Sequence, residues 1–141
     1  MNQPLRLERR VEFCDTDAAG IAHFSSFFTW MEQAEHEYLR RCGLSVLMRD
    51  EQGPISWPRV STKCDFSGAV RFEDVLAIDV SIARLGTKSA TYAFEFTCDG
   101  RAVARGEMTS VCCRLSDDRP PQGIEIPASI RERLRFGPTT S

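Results

Sequence analysis

Phe24, Phe27, Phe28, Met31, Ala34, Tyr38 and Cys42 recur mostly at steps of three and four, the spacing of one apolar helix face. Glu32, Glu35, Glu37, Arg40 and Arg41 fill other positions. The segment therefore predicts an amphipathic helix of about 4–5 turns, capped by Ser25 or Ser26 and closed by Gly43. This is the constraint on the fold, because nearly everything after it, up to about Leu115, reads as strand. Pro58, Val60, Thr62, Cys64 and Phe66 alternate with polar residues, as do Leu76, Ile78, Val80 and Ile82, and then Tyr92, Phe94, Phe96 and Cys98. Asp99-Gly100 is the dipeptide of a tight type I′ hairpin. It leads into a strand over 101–115 whose apolar parity shifts, which predicts a bulge at Gly106. Gly86 suits a turn between the preceding strands.

Leu5, Leu7, Val11 and Phe13 share odd parity and predict a first strand before the helix. The stretch from Ser116 to Gly123 is polar and Pro-rich and reads as a loop, after which Pro127 opens a short helix carrying Ile130 and Leu134. One central helix followed by successive hairpins implies an α+β layout, an antiparallel sheet of about five strands wrapped around that helix. The 141 residues fit one domain, 1–141.

Charge excludes some functions. Eighteen basic against 20 acidic residues give a net charge of −2, without the basic excess of a nucleic-acid binder. No run approaches a membrane span, and MNQPLRLERR lacks the apolar core of a signal peptide, so a cytoplasmic protein is expected. The six cysteines form no C-x-x-C pair and His23 and His36 are far apart, so reduced structural thiols are expected and no metal or cofactor.

The segment 11–25 carries the chemistry. Asp15 and Asp17 sit in a loop that feeds a helix N-terminus, where unpaired N–H donors can hold a developing oxyanion. Gly20 allows the backbone to turn closely past a ligand. A carboxylate facing such a site can act as nucleophile or as general base in acyl transfer, and turn or capping roles are the alternative.

DTDAAGIAHFSSFFTWMEQAEHEYLRRCGL (15–44) resembles the start of the hotdog-fold thioesterases of the 4-hydroxybenzoyl-CoA thioesterase family. The likeness continues through DFSGAVRFEDVLAI (65–78) and GTKSATYAFEF (86–96). It implies a long helix wrapped by an antiparallel sheet, a homodimer or homotetramer with its sites at subunit interfaces, and a CoA thioester substrate. It further implies that Asp17 is the catalytic carboxylate and that the backbone amide of Phe24 polarises the thioester carbonyl. Many members carry Tyr-His where this chain has His23-Phe24, so a catalytic part for His23 stands against a role in capping or lining the loop. Basic residues near the second hairpin bind the nucleotide in that family, which points to Arg84, Lys88 and Ser89 here. Arg59 and Lys63 share one face of their strand and are further candidates, as are Arg131, Arg133 and Arg135. Gly20 and Phe27 would line the substrate site.

Glu32 and Glu35 are the rival carboxylates, since another branch of the same fold draws its acid from the central helix; a helix-face role is the alternative. The function expected is hydrolysis of an acyl-CoA or aryl-CoA to the free acid and CoA. Hydrolysis of acyl groups on acyl carrier protein, or non-catalytic acyl-CoA binding, are the competing readings. Nucleic acid and membrane are not expected partners.

Overall fold

The structure, a computed structural model, describes residues 4–139. Its elements in chain order are β1 (Leu5–Arg10), a 3-10 turn (Phe13–Asp15), α1 (Phe24–Arg41), β2 (Met48–Asp50), β3 (Gly53–Ser56), β4 (Arg59–Phe66), β5 (Val75–Leu85), β6 (Ser89–Cys98), β7 (Arg101–Val111), β8 (Cys113–Ser116), β9 (Arg119–Gly123) and α2 (Ala128–Phe136). Five strands form an antiparallel sheet, as expected from the sequence, and their order is β1-β5-β6-β7-β4. α1 buries Phe27, Trp30, Met31, Ala34, Tyr38 and Leu39. The sheet contributes Leu76, Ile78, Val80, Phe94, Phe96 and Met108 to the same core. Alternation on a strand turns every second residue to one face, and these even-numbered positions are that face. No helix among the described residues is long and apolar enough to cross a membrane.

Gly106 is not a bulge. It stays in register between Cys64 and Phe94, and the irregularity in the β6–β7 pairing falls at Phe96/Thr97, where Val103 is the extra residue. Glycine is required at 106 for another reason: a Cβ there would stand 2.3 Å from the Met31 sulfur. Gly106→Ala is expected to destabilise the fold by about 1–3 kcal/mol through overpacking. Denaturant unfolding checks this, and an unchanged midpoint would mean that Met31 moves aside at no cost.

The parity shift after Gly106 has a different origin. β7 keeps its even residues inward through Ser110, and the chain then leaves the sheet at Cys112, whose amide donates to the Lys88 carbonyl at 2.7 Å. β8 enters a second sheet of order β2-β3-β8-β9. The segment expected as a loop, 116–123, thus contains strand β9, and Pro120 and Pro121 are accommodated because β9 is an edge. Arg114 clamps this sheet, donating to both Asp50 carboxylate oxygens at 2.7 and 2.8 Å and holding that acid down to about 2. The first strand ends at Arg10 rather than Phe13, because Val11 turns inward and bonds the 73–74 backbone.

Two rows of the main sheet define its ends. Leu7, Ile78, Phe96, Ala104 and Phe66 lie side by side at one end, and Leu85, Ala90, Ser110 and Arg59 at the other. They are separated along β5 by about 23 Å at the usual rise of a strand. The edge strand β4 is uncovered, with Val60 63% and Phe66 47% exposed.

Candidate active site

The loop between β1 and α1 separates its two aspartates. Asp15 is built into the loop: its carboxylate accepts from the Glu12 amide at 2.8 Å, and its carbonyl accepts from the His23 amide and the Ser26 hydroxyl. Asp17 accepts from the Ala19 amide through Oδ1 at 2.8 Å and lines a cavity. Gly20, at φ +78°, closes the turn by donating to the Asp17 carbonyl, a left-handed conformation that favours glycine. The chain then returns through Ile21 and Ala22, which bridge to Arg71 and Thr16.

α1 begins at the mouth of that cavity. Its N-cap is His23, not Ser25 or Ser26: Nδ1 accepts from the Ser25 amide at 3.2 Å, and the ring stacks on Phe24 at 4.6 Å. The Ser26 amide is taken by the His23 carbonyl. The Phe24 amide has no acceptor among the described residues, and it belongs to the first turn, where the helix dipole is positive. Phe24 itself is 61% exposed, so this residue of the helix pattern faces the opening and not the core.

The cavity, of about 370 Å³, is lined by Asp17, Ile21, Ala22, Phe24, Phe27 and Phe66 with the 68–70 backbone segment. Phe27 packs edge-to-face on Trp30, Phe66 and Phe96, so one wall is an aromatic cluster. Phe66 was read from the sequence only as a strand residue; the register that sets it at the end of β4 is what brings it here. Asp17 and Phe24, the first residue of α1, therefore line one largely apolar cavity. Such a site can deliver an electron pair to a carbonyl and hold the oxyanion that results.

The remaining candidates lie elsewhere in the chain. Arg84, Lys88 and Ser89 flank the β5–β6 turn at the opposite end of the sheet. Arg59 is at that end too, and its guanidinium is engaged: it bonds Glu35 and stands 3.6 Å from Glu32. Lys63 is exposed on β4. Glu35, about three turns along α1 from Phe24, is 2% exposed. Burial pushes its carboxyl up to about 7, with Glu32 adding to the rise and Arg59 opposing it. His36 Nε2 lies 3.7 Å from the same carboxylate, and burial lowers its pKa.

The sequence profile of the thioesterase-like superfamily matches residues 11–134. The chain belongs to the thioesterase-like superfamily. It is 34% identical over 142 residues to the 1,4-dihydroxy-2-naphthoyl-CoA hydrolase of Synechococcus sp. (strain WH7803), covering 92% of this chain and 93% of that one. It is 29% identical over 139 residues to the 4-hydroxybenzoyl-CoA thioesterase of Pseudomonas sp. (strain CBS-3), covering 94% and 98%. A solved gentisyl-coenzyme A thioesterase superposes with a TM-score of 0.78 at 29% identity, over 92% of this chain and 99% of the other. As a member of this superfamily the chain is a hotdog-fold thioester hydrolase acting on CoA thioesters.

Proposed function

We propose that this thioesterase hydrolyses an aromatic acyl-CoA, releasing an arenecarboxylic acid and free CoA. The observation that supports the reading is that Asp17 and Phe24, at the start of α1, line one cavity together with Phe27 and Phe66. An apolar cavity of this size suits a flat ring. The hydroxylated aromatic acyl-CoA substrates named for the similar proteins support the same class. The thioester carbonyl oxygen accepts from the Phe24 amide, and Asp17 supplies the electron pair, directly or through a water that it deprotonates. The C–S bond breaks, CoA leaves as thiolate and takes a proton, and water provides the second oxygen of the acid.

Free-thiol release over a panel of aryl-CoA and aliphatic acyl-CoA thioesters tests the substrate class. Aryl thioesters are expected to lead in kcat/KM by about tenfold or more, the scale on which an apolar pocket discriminates. Equal or better turnover of short aliphatic thioesters would reject the aromatic assignment. In a single turnover in ¹⁸O-water, an unlabelled acid would establish direct attack by Asp17, with water entering at the aspartyl carbonyl of the mixed anhydride.

The site is proposed to be completed by a second copy. β4 ends a sheet with its apolar residues uncovered, and antiparallel pairing of two such edges about a twofold axis removes both edges. Pairing over the full strand sets residue 59 of one copy beside residue 66 of the other. The Gly86 end of one chain thereby approaches the Asp17 cavity of its partner, so the CoA handle and the acyl pocket would come from different chains. Mixing Asp17→Asn with an Arg84→Ala/Lys88→Ala variant is expected to recover activity, because a mixed dimer regains one intact site. About a quarter of wild-type activity is the expected ceiling for random pairing. No recovery from mixed dimers shown to have formed would place both halves of the site in one chain.

A further inference from the structure

The turn at Gly86 is held from outside the sheet that carries it. Arg131, on α2, donates through Nη2 to the Gly86 carbonyl at 2.6 Å and the Thr87 carbonyl at 2.9 Å. The Ile126 amide also donates to Thr87 O, at 3.0 Å. The Lys88 carbonyl accepts from the Cys112 amide at 2.7 Å, and the Ser89 carbonyl from the Gly86 amide at 2.8 Å. Every carbonyl from 86 to 89 is therefore consumed by the protein. The amides of Thr87 and Lys88 have no acceptor among the described residues, and the Arg84 and Lys88 side chains are exposed. Arg131 bonds no carboxylate among the described residues, so it brings an uncancelled positive charge as well as two donors.

The electrostatic result follows from orientation. A turn normally shows solvent a mixture of partial positive N–H and partial negative C=O groups. With its carbonyls drawn inward, this one shows N–H groups and cationic side chains, the surface that an anion prefers. We infer that Arg131 is a positioning residue for CoA, capping the Gly86 and Thr87 carbonyls so that the 86–89 turn receives a phosphate. Arg131 itself touches two carbonyls and need not touch the ligand. This rests on the reading that the turn binds the phosphates of a CoA thioester.

Calorimetric titration of free CoA, with pantetheine as the ligand lacking the nucleotide and its phosphates, tests the inference without relying on turnover. Arg131→Ala is expected to weaken CoA binding about tenfold, the scale of hydrogen bonds to a charged group, and to leave pantetheine binding unchanged. Arg131→Lys is expected to recover most of the loss, since an ammonium can cap the same carbonyls; should the alanine variant not fold, Arg131→Met, which keeps the stem but no donor, stands in with the same expected weakening. Unchanged CoA affinity in a folded Arg131→Ala protein would overturn the inference, and so would equal weakening of both ligands, which marks a general structural role. Wild-type protein that binds CoA in this Arg131-dependent way but hydrolyses no CoA thioester would leave the inference standing and remove the proposed substrate. Wild-type protein that binds no CoA would remove both.

Discussion

Asp17→Asn is expected to lower kcat by roughly 10²–10⁴ while the protein stays folded and binds CoA. The substitution preserves side-chain shape and leaves an oxygen to accept from the Ala19 amide, the bond that fixes Asp17 in its turn. Charge and basicity are what it removes. Were Asp17 only a loop tie, the loss would appear as stability, about 0.5–2 kcal/mol for a missing cap, with kcat largely kept. Asp15→Asn is the informative contrast. Its carboxylate bonds the Glu12 amide and its carbonyl anchors the helix start, so the expected effect is on stability first. Steady-state kinetics beside denaturant unfolding separates the two, and an Asp17→Asn enzyme with near wild-type kcat would move the chemistry away from this loop.

The second large effect concerns Glu35, and it runs opposite to the usual behaviour of a carboxylate. The folded chain holds its carboxyl up near 7, against an ordinary 4.5, because burial disfavours the charge more than Arg59 favours it. The native state therefore binds this proton more tightly than the unfolded chain does. The stability contributed by protonated Glu35 is complete below about pH 4.5 and is lost as pH rises to about 7. At about 1.4 kcal/mol per pH unit, that interval corresponds to a loss of about 3 kcal/mol. Glu35→Gln should be free of this dependence. Unfolding free energies of the two proteins, measured from pH 4.5 to 8.5, should therefore diverge in favour of the glutamine variant as pH rises. A constant difference across that range would show that Glu35 titrates normally. The same variant should leave kcat within about tenfold, since Glu35 is remote from the Asp17 cavity. A folded but inactive Glu35→Gln enzyme would transfer the chemistry to α1.

Much of this molecule was legible because period-3.6 and period-2 patterns report which residues face a core. α1, β5 and β6 fall where those periods place them, and Asp99 and Gly100 adopt the positive φ that a type I′ turn needs. The Asp17 loop stood out because it broke the pattern. What stayed hidden depended on contacts between distant segments. β2, β3 and β9 are three to five residues long and two of them contain proline, so no period could declare them. Gly106 looked like a bulge because a sequence shows the missing side chain but not the Met31 sulfur that fills its place. Arg59 read as a further candidate for binding the nucleotide, whereas Glu35 and Glu32 hold its guanidinium. Capping was one of the roles the sequence left open for His23, but Ser25 and Ser26, the commoner cap residues just beyond Phe24, drew the predicted helix start past it.

The separation of the two ends of the sheet also bears on how such an enzyme diversifies. Ile21, Phe24, Phe27 and Phe66 line the proposed acyl pocket, while the 86–89 turn and Arg131 lie at the other end of the sheet in the same chain. In the proposed dimer the two groups would hold opposite ends of one substrate, and substitutions in them should combine almost additively wherever no side chain of one group touches the other. Selection for a new acyl group can then reshape one end through many intermediate sequences without eroding the grip on the carrier at the other. A lineage built this way can change its diet while keeping the same handle.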